Sequence, residues 1–299
     1  MHGQVLPAPP RLWADPRAPR SVGGPHGPLM AALASVPPGP HHHNLFPTSP
    51  PYRPLGGPPT LIALMADVHS NAPALEAVVS DARAAGATHF VCAGDITGFG
   101  PSAQACVDTV RAICQVVVRG NHDNALSEGV DCGCHPALSH LARAAEKVAR
   151  SQLGTLEAAW LRRLPLEESL YLSGRQLYAV HGSPMDPLHG CVAPSPKVEQ
   201  VRREFMAVDA DFVVLGHTHR QLVLPSVLET GVLVNPGSVG FPTDGDPRAA
   251  YALLDFASGS VHARHVDYDV DRAVADARSL DARERALYER VLRKGALPD

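Results

Sequence analysis

Leu61-Ile62-Ala63-Leu64-Met65-Ala66-Asp67-Val68-His69 is a short apolar run that ends on a carboxylate and an imidazole. An apolar run of this length reads as a buried strand. Side chains two apart on an extended chain share a face, so Asp67 and His69 leave the strand end together. Leu75, Val78, Val79 and Ala82 then recur at helical spacing over 73–85, and Gly86 ends that helix. Phe90 to Ala93 reads as a second buried strand, 102–113 as a second helix, and Val116-Val117-Val118 as a third strand. This β-α-β-α-β order implies parallel strands joined by helical crossovers.

Further along, 136–164 reads as helical, with Leu138, Leu141, Ala145 and Val148 on one stripe and Leu156, Trp160, Leu161 and Leu164 on another. Strands are expected at 177–180, 212–215 and 232–234, with a helix near 196–206 between the first two. Residues 251–256 and 261–266 form a closing hairpin, and charged helices at 271–279 and 281–294 are expected on the surface. Before Thr60 the character differs. Residues 1–58 are rich in Pro and Gly, contain the run His41-His42-His43 and lack apolar periodicity, so they read as a disordered extension. Met30 is an alternative start. The domain reading is an extension over 1–58, a catalytic domain over 59–270 and C-terminal helices over 271–299.

The chain has 299 residues with 26 Lys+Arg against 30 Asp+Glu, a formal net charge of −4. No basic excess suggests a nucleic-acid footprint. No apolar run reaches the ~18–20 residues that span a bilayer, and no signal peptide is read, so a cytoplasmic location is expected. The six Cys form no disulfide framework. Cys132-Gly133-Cys134 reads as a loop with two thiols rather than a metal site or disulfide.

Five blocks stand at the ends of these strands: Asp67-Val68-His69, Gly94-Asp95, Gly120-Asn121-His122-Asp123, His181-Gly182 and Gly216-His217-Thr218-His219. In open α/β sheets the reactive loops lie beyond the carboxyl ends of the strands. Asp67, Asp95, Asn121, His69, His181, His217 and His219 offer two carboxylates, an amide and four imidazoles, and His122 is left over. This inventory fits two divalent metals and the hydrolysis of phosphate esters. Mixed N/O ligation suits Mn, Fe, Zn or Ni better than Ca or Mg.

These blocks, in this order, resemble the calcineurin-like metallophosphoesterases over about 60–268. Asp95-Ile96-Thr97-Gly98-Phe99-Gly100-Pro101 and Asn235-Pro236-Gly237-Ser238-Val239-Gly240 are similar to the compact prokaryotic phosphoesterases, grouped with diadenosine-tetraphosphatase and serine/threonine phosphatase relatives. The resemblance implies a four-layer α-β-β-α sandwich with two central mixed sheets. It implies a first metal on Asp67, His69 and His219, a second on Asn121, His181 and His217, and Asp95 bridging them, with a water between the ions ionised at neutral pH to the attacking hydroxide. His122 would protonate the leaving group or contact the phosphate, and Arg119 would clamp the phosphate. Manganese is the expected ion, with Fe, Ni or Zn as alternatives, and the expected substrate is a phosphorylated small molecule, a mono- or diester. Gly98 departs from the phosphoprotein phosphatases, which carry an Asp there to support the catalytic His. A serine/threonine protein phosphatase, a dinucleoside-polyphosphate hydrolase and a non-catalytic scaffold on the same fold are the alternatives.

Overall fold

The computed structural model describes residues 61–172, 174–225 and 231–297. The expected extension over 1–58, with its His run and the alternative start at Met30, lies outside the described residues. The first half runs β1 (Leu61–Met65), α1 (Ala72–Ala84), β2 (His89–Cys92), α2 (Ala103–Ile113), β3 (Cys114–Val117), α3 (Asn121–Glu128), α4 (Ser139–Gln152) and α5 (Thr155–Arg163). Then follow β4 (Glu167–Leu172), β5 (Arg175–Val180), α6 (Val198–Glu204), β6 (Phe212–Val214), β7 (Gln221–Pro225), β8 (Val232–Pro236), β9 (Ala249–Asp255), β10 (Val261–Val266), α7 (Val270–Asp276) and α8 (Ala282–Lys294).

Two five-stranded sheets result, ordered β10-β9-β1-β2-β3 and β4-β5-β6-β8-β7. Both are mixed. β1, β2 and β3 are parallel while β9 pairs antiparallel with β1 and β10. In the second sheet β5, β6 and β8 are parallel and the edge strands β4 and β7 are antiparallel. The period of two in β1 decides the layering. Ile62 and Leu64 face Leu177, Phe212, Val214 and Val234 between the sheets, whereas Ala63 and Met65 face Leu75, Val78, Val107 and Val110 of α1 and α2. The outer face of the second sheet packs Tyr178, Val213 and Leu215 against Val201 and Phe205 at α6. The expected α-β-β-α sandwich with two mixed sheets is therefore the observed fold. No helix among the described residues is long and apolar enough to cross a membrane.

Some elements differ from the sequence reading. The stretch 136–164 is divided into a short 3-10 turn, α4 and α5, because Gly154 takes an extended backbone and caps α5. α3, β4 and β7 are additional. β4 and β7 are edge strands with half-exposed faces, so they lack a continuous apolar run. The C-terminal helices carry charge outward but bury Ala273, Tyr288, Val291 and Leu292 against Leu141 and Ala145 of α4. The segment 271–297 thus shares a core with the residues before it.

Asp81 of α1 ties that helix to the sheet edge. Its carboxylate accepts hydrogen bonds from Tyr251 Oη at 2.5 Å and Arg264 Nε at 2.9 Å. Burial raises this carboxyl, but the Arg264 and Tyr251 hydrogen bonds outweigh it and hold the group below its usual 3.8. A lowered carboxylate stabilises the fold above the unfolded pKa, and that contribution fades as pH falls through the folded value. Asp81→Asn is expected to flatten the loss of stability below about pH 4, read as melting temperature against pH. An acid limb identical to wild type would refute the assignment.

Candidate metal centre

The parallel strands deliver their carboxyl ends to one place. Loops after β1 and β2 lace together through Asp67 N to Gly94 O at 3.0 Å and His69 N to Asp95 O at 2.9 Å. Gly94 has φ +89°, and a Cβ there would stand 2.7 Å from Gly120 N, so only glycine lets the β2 and β3 loops meet. The β5 and β6 ends join through Gly216 N to His181 O at 2.9 Å, and His217 N donates to Asp67 Oδ1 at 3.2 Å.

All seven expected ligands converge and are buried. His69 Nε2 lies 2.8 Å from His219 Nε2, 3.8 Å from Asp67 Oδ1 and 3.7 Å from Asp95 Oδ2. His219 Nε2 lies 3.5 Å from Asp67 Oδ1. On the other side of Asp95, its Oδ2 is 3.5 Å from His181 Nε2. Asn121 Oδ1 lies 3.0 Å from His181 Nε2 and 3.1 Å from His217 Nδ1. Asp95 therefore stands between an Asp67–His69–His219 group and an Asn121–His181–His217 group.

The groups around these side chains aim them. His181 Nδ1 donates to Ala93 O at 2.7 Å and His219 Nδ1 donates to Phe241 O at 2.6 Å, which turns each Nε2 inward toward the cluster. Asn121 Nδ2 donates to Cys132 O at 2.8 Å, which fixes its Oδ1 toward the imidazoles. The Asn235–Gly240 loop clamps the opposite side. Ser238 Oγ donates to Asp67 O at 2.8 Å, and Asn235 Nδ2 donates to Gly216 O at 2.6 Å.

Five of these seven residues also share a backbone state. Asp67, His69, Asp95, His217 and His219 have φ between 46° and 68°, as does Ser70 at 54°. These are the only non-glycine residues with positive φ among the described ones. Left-handed backbone in non-glycine residues is strained, and such strain gathers where a site over-determines the conformation.

Electrostatics agree with cation binding. Burial pushes Asp67 well up, with Asp95 adding to it. Burial also raises Asp95, but His181, His122 and His69 outweigh it and hold Asp95 down. Burial keeps His69, His217 and His219 low, His219 at about 4, so these rings are neutral donors at pH 7. His181 is lowered by burial, yet Asp95 and Asp67 drive it up to about 9. Two buried carboxylates thus draw positive charge to the site, which a divalent cation supplies while displacing the proton. Asp67 Oδ2 and His69 Nδ1 are buried without a hydrogen-bond partner. Unspent donor atoms beside converging Nε2 atoms fit a metal, and the donor set is the mixed N/O kind.

His122 is the second residue of α3, and it offers a ring nitrogen within 4.8 Å of candidate ligand atoms of His69 and Asp95. Its ring sits 4.9 Å from His69 and 4.6 Å from Phe99, and its backbone N–H donates to Asp95 Oδ1 at 2.8 Å. Arg119 is not brought to the cluster. Its Nη1 donates to Arg162 O at 3.2 Å and pairs with Glu128 Oε1 at 3.4 Å, at the far end of α3. The chain turns at Gly120 into α3, and the Arg119 side chain runs along the helix toward α5 rather than toward the cluster. Arg119→Ala should therefore lower stability by about 1 kcal/mol and leave turnover near wild type. A large loss of turnover in a folded variant would return Arg119 to the phosphate.

Asp123 closes the third block of the sequence, which gave it no role of its own. It accepts from Thr97 N and Oγ1 at 2.9 Å each, and from Ile96 N and Gly120 N at 3.2 Å each. Burial and Asp95 push it up to about 6, with those amides opposing. An acidic residue at the third helical position after Gly120 is a capping signal that would have found it. Gly98 explains its own departure from the phosphoprotein phosphatases: a Cβ there would stand 2.1 Å from His69 Nδ1. No side chain fits.

The family model for the calcineurin-like phosphoesterase superfamily domain matches residues 61–259. An uncharacterized protein of Methanocaldococcus jannaschii is 29% identical over 230 residues, covering 72% of this chain and 90% of its own length. The crystal structure of a metallophosphoesterase from Sphaerobacter thermophilus is similar at 29% identity and TM-score 0.65, over 80% of this chain and 100% of that one. A hypothetical protein from Pyrococcus horikoshii shares the fold at 22% identity and TM-score 0.66, over 80% of this chain and 99% of that one.

Proposed function

Because the chain belongs to the calcineurin-like phosphoesterase superfamily and is a hydrolase of phosphoric esters, we propose that it works with two divalent cations on small phosphate mono- or diesters. The observation that carries this reading is Asp95, placed between two ligand groups with Oδ2 3.7 Å from His69 Nε2 and 3.5 Å from His181 Nε2. Asp67, His69 and His219 hold one cation, Asn121, His181 and His217 hold the other, and Asp95 is shared. When bound, the pair supplies Lewis-acid activation of water and neutralises charge on the phosphoryl group. Manganese is our first choice, with Fe, Ni or Zn as alternatives. His122 gives a proton to the departing oxygen, a general-acid role worth roughly 10²–10⁴-fold. Phe99 and Phe241, packed 4.2 Å apart beside His69 and buried, keep water from that flank. The closed approach at Gly98 disfavours the protein-phosphatase alternative, which needs a carboxylate there. Six free cysteines accord with a reducing compartment, and we place the enzyme in the cytoplasm.

The test is a metal-by-substrate panel on chelator-stripped protein. Reloading with Mn is expected to restore hydrolysis of p-nitrophenyl phosphate or its bis ester, with about two metal equivalents by elemental analysis. Phosphopeptide is expected to be the poorer substrate. Absence of both bound metal and hydrolysis would overturn the reading and favour a scaffold.

A further inference from the structure

Cys132-Gly133-Cys134 lies just beyond α3, and the sequence alone reads it as a loop with two thiols. Gly133 has φ +68°, a left-handed state that glycine adopts without strain, and its N–H donates to Asp131 Oδ1 at 2.8 Å. The loop brings the two thiols together, with the Cys134 S–H donating to Cys132 Sγ. Both cysteines are half-buried, and both line a small cavity between this loop, α3 and α4, with His122 on another wall. The cavity holds about 30 Å³, room for a water or two. The same loop reaches the metal centre through its backbone. Cys132 O accepts from Asn121 Nδ2 at 2.8 Å, and that bond turns Asn121 Oδ1 toward His181 Nε2 and His217 Nδ1.

We propose that Cys132 and Cys134 are a modification site for hydrogen peroxide, closing into a disulfide that loosens Asn121 from the metal centre. The link to the metals rests on the two-cation reading above, whereas the disulfide itself does not. Peroxide matches the cavity in size, and a bulky oxidant such as glutathione disulfide does not. The Cys132 thiol gives up its proton and its sulfur attacks one peroxide oxygen. An S–O bond forms, the O–O bond breaks, and the departing hydroxide takes that proton and leaves as water. Cys132 is then a sulfenic acid, with a second thiol beside it to resolve it. Cys134 Sγ attacks that sulfur, the S–S bond forms, the S–O bond breaks, and a second water leaves with the Cys134 proton. Two thiols are oxidised and one peroxide is reduced to two waters. Hydrogen-bonded sulfurs stand well outside the roughly 2.05 Å of a disulfide, so closure tightens the loop about Gly133 and moves the Cys132 carbonyl that Asn121 holds. In a reducing compartment such a bond is transient, and a dithiol reverses it. Cys92 and Cys106, buried in the core, have no such access.

The test uses the full chain. Reduced, metal-stripped protein is treated with hydrogen peroxide, trapped with iodoacetamide and digested for mass spectrometry. The peptide carrying Cys132 and Cys134 is expected to lose two hydrogens and to escape alkylation, while Cys191 still alkylates and dithiothreitol restores both thiols. Mn titration by calorimetry is expected to show two sites in the reduced protein, one of them weakened about tenfold after oxidation. Cys134→Ser keeps the Cys132 carbonyl and is expected to bind Mn like reduced wild type both before and after peroxide. Absence of the disulfide in wild type overturns the site. A disulfide that leaves both Mn affinities unchanged overturns the link to Asn121. Reduced protein that binds no Mn would instead overturn the two-cation reading and leave the thiol pair as an oxidation site.

Discussion

Asp95→Asn is expected to reduce metal-dependent turnover by about 10³-fold or more and to remove one bound metal equivalent, while the protein stays folded. The carboxylate lies near both groups of candidate ligands, with Oδ2 3.7 Å from His69 Nε2 and 3.5 Å from His181 Nε2. An amide keeps the volume and an oxygen for the His122 N–H, which now lies 2.8 Å from Oδ1. It loses the negative charge that two cations require. Folding should not suffer, because Asn also relieves repulsion with Asp67 and Asp123, both of which Asp95 raises. Elemental analysis, circular dichroism and p-nitrophenyl phosphate turnover together decide it. Wild-type turnover with full metal content would refute the bridging role.

Asp123→Ala is expected to fail differently. The substitution strands Ile96 N, Thr97 N, Thr97 Oγ1 and Gly120 N in a buried region. A buried donor left unpaired costs about 1–3 kcal/mol, and local relaxation recovers part of it. A loss of about 3 kcal/mol overall corresponds to roughly 6–12 °C in Tm for a chain of this size. Metal affinity should fall with it, since the Asp95 loop loses its anchor to α3. Asp123→Asn retains one acceptor oxygen and should be milder in both readouts. A melting temperature for the Ala variant within a degree or two of wild type would show that Asp123 is not the anchor.

The buried parallel strands were legible because nothing in them is ambiguous. Ile62 and Leu64 serve one interface while Ala63 and Met65 serve the other, so both faces demand apolar residues. β4 and β7 were not legible, since each sits at a sheet edge with part of its surface wet. α3 was hidden for a related reason: Asn121-His122-Asp123-Asn124 has the composition of a loop, and contacts with Asp95 and Thr97 make it a helix start. The side chains that converge at the strand ends were readable because each follows an apolar run. The atoms that aim them were not. Ala93 O, Cys132 O and Phe241 O are backbone carbonyls, and any residue carries one. Arg119 is the complementary case: it adjoins the third block in sequence, while its side chain donates to Arg162 O and pairs with Glu128.

The left-handed backbone at Asp67, His69, Ser70, Asp95, His217 and His219 has a consequence for how such a chain can change. Strain of this kind costs of order 1 kcal/mol per residue, a large share of the ~5–15 kcal/mol that holds a domain folded. Exchanging these residues for glycine would relieve it, and would remove the ligands in the same step. Stability and activity therefore pull in opposite directions at the same positions. Selection for robustness alone would erode this centre first, and any thermostabilised descendant that still hydrolyses esters must find its gains elsewhere in the molecule.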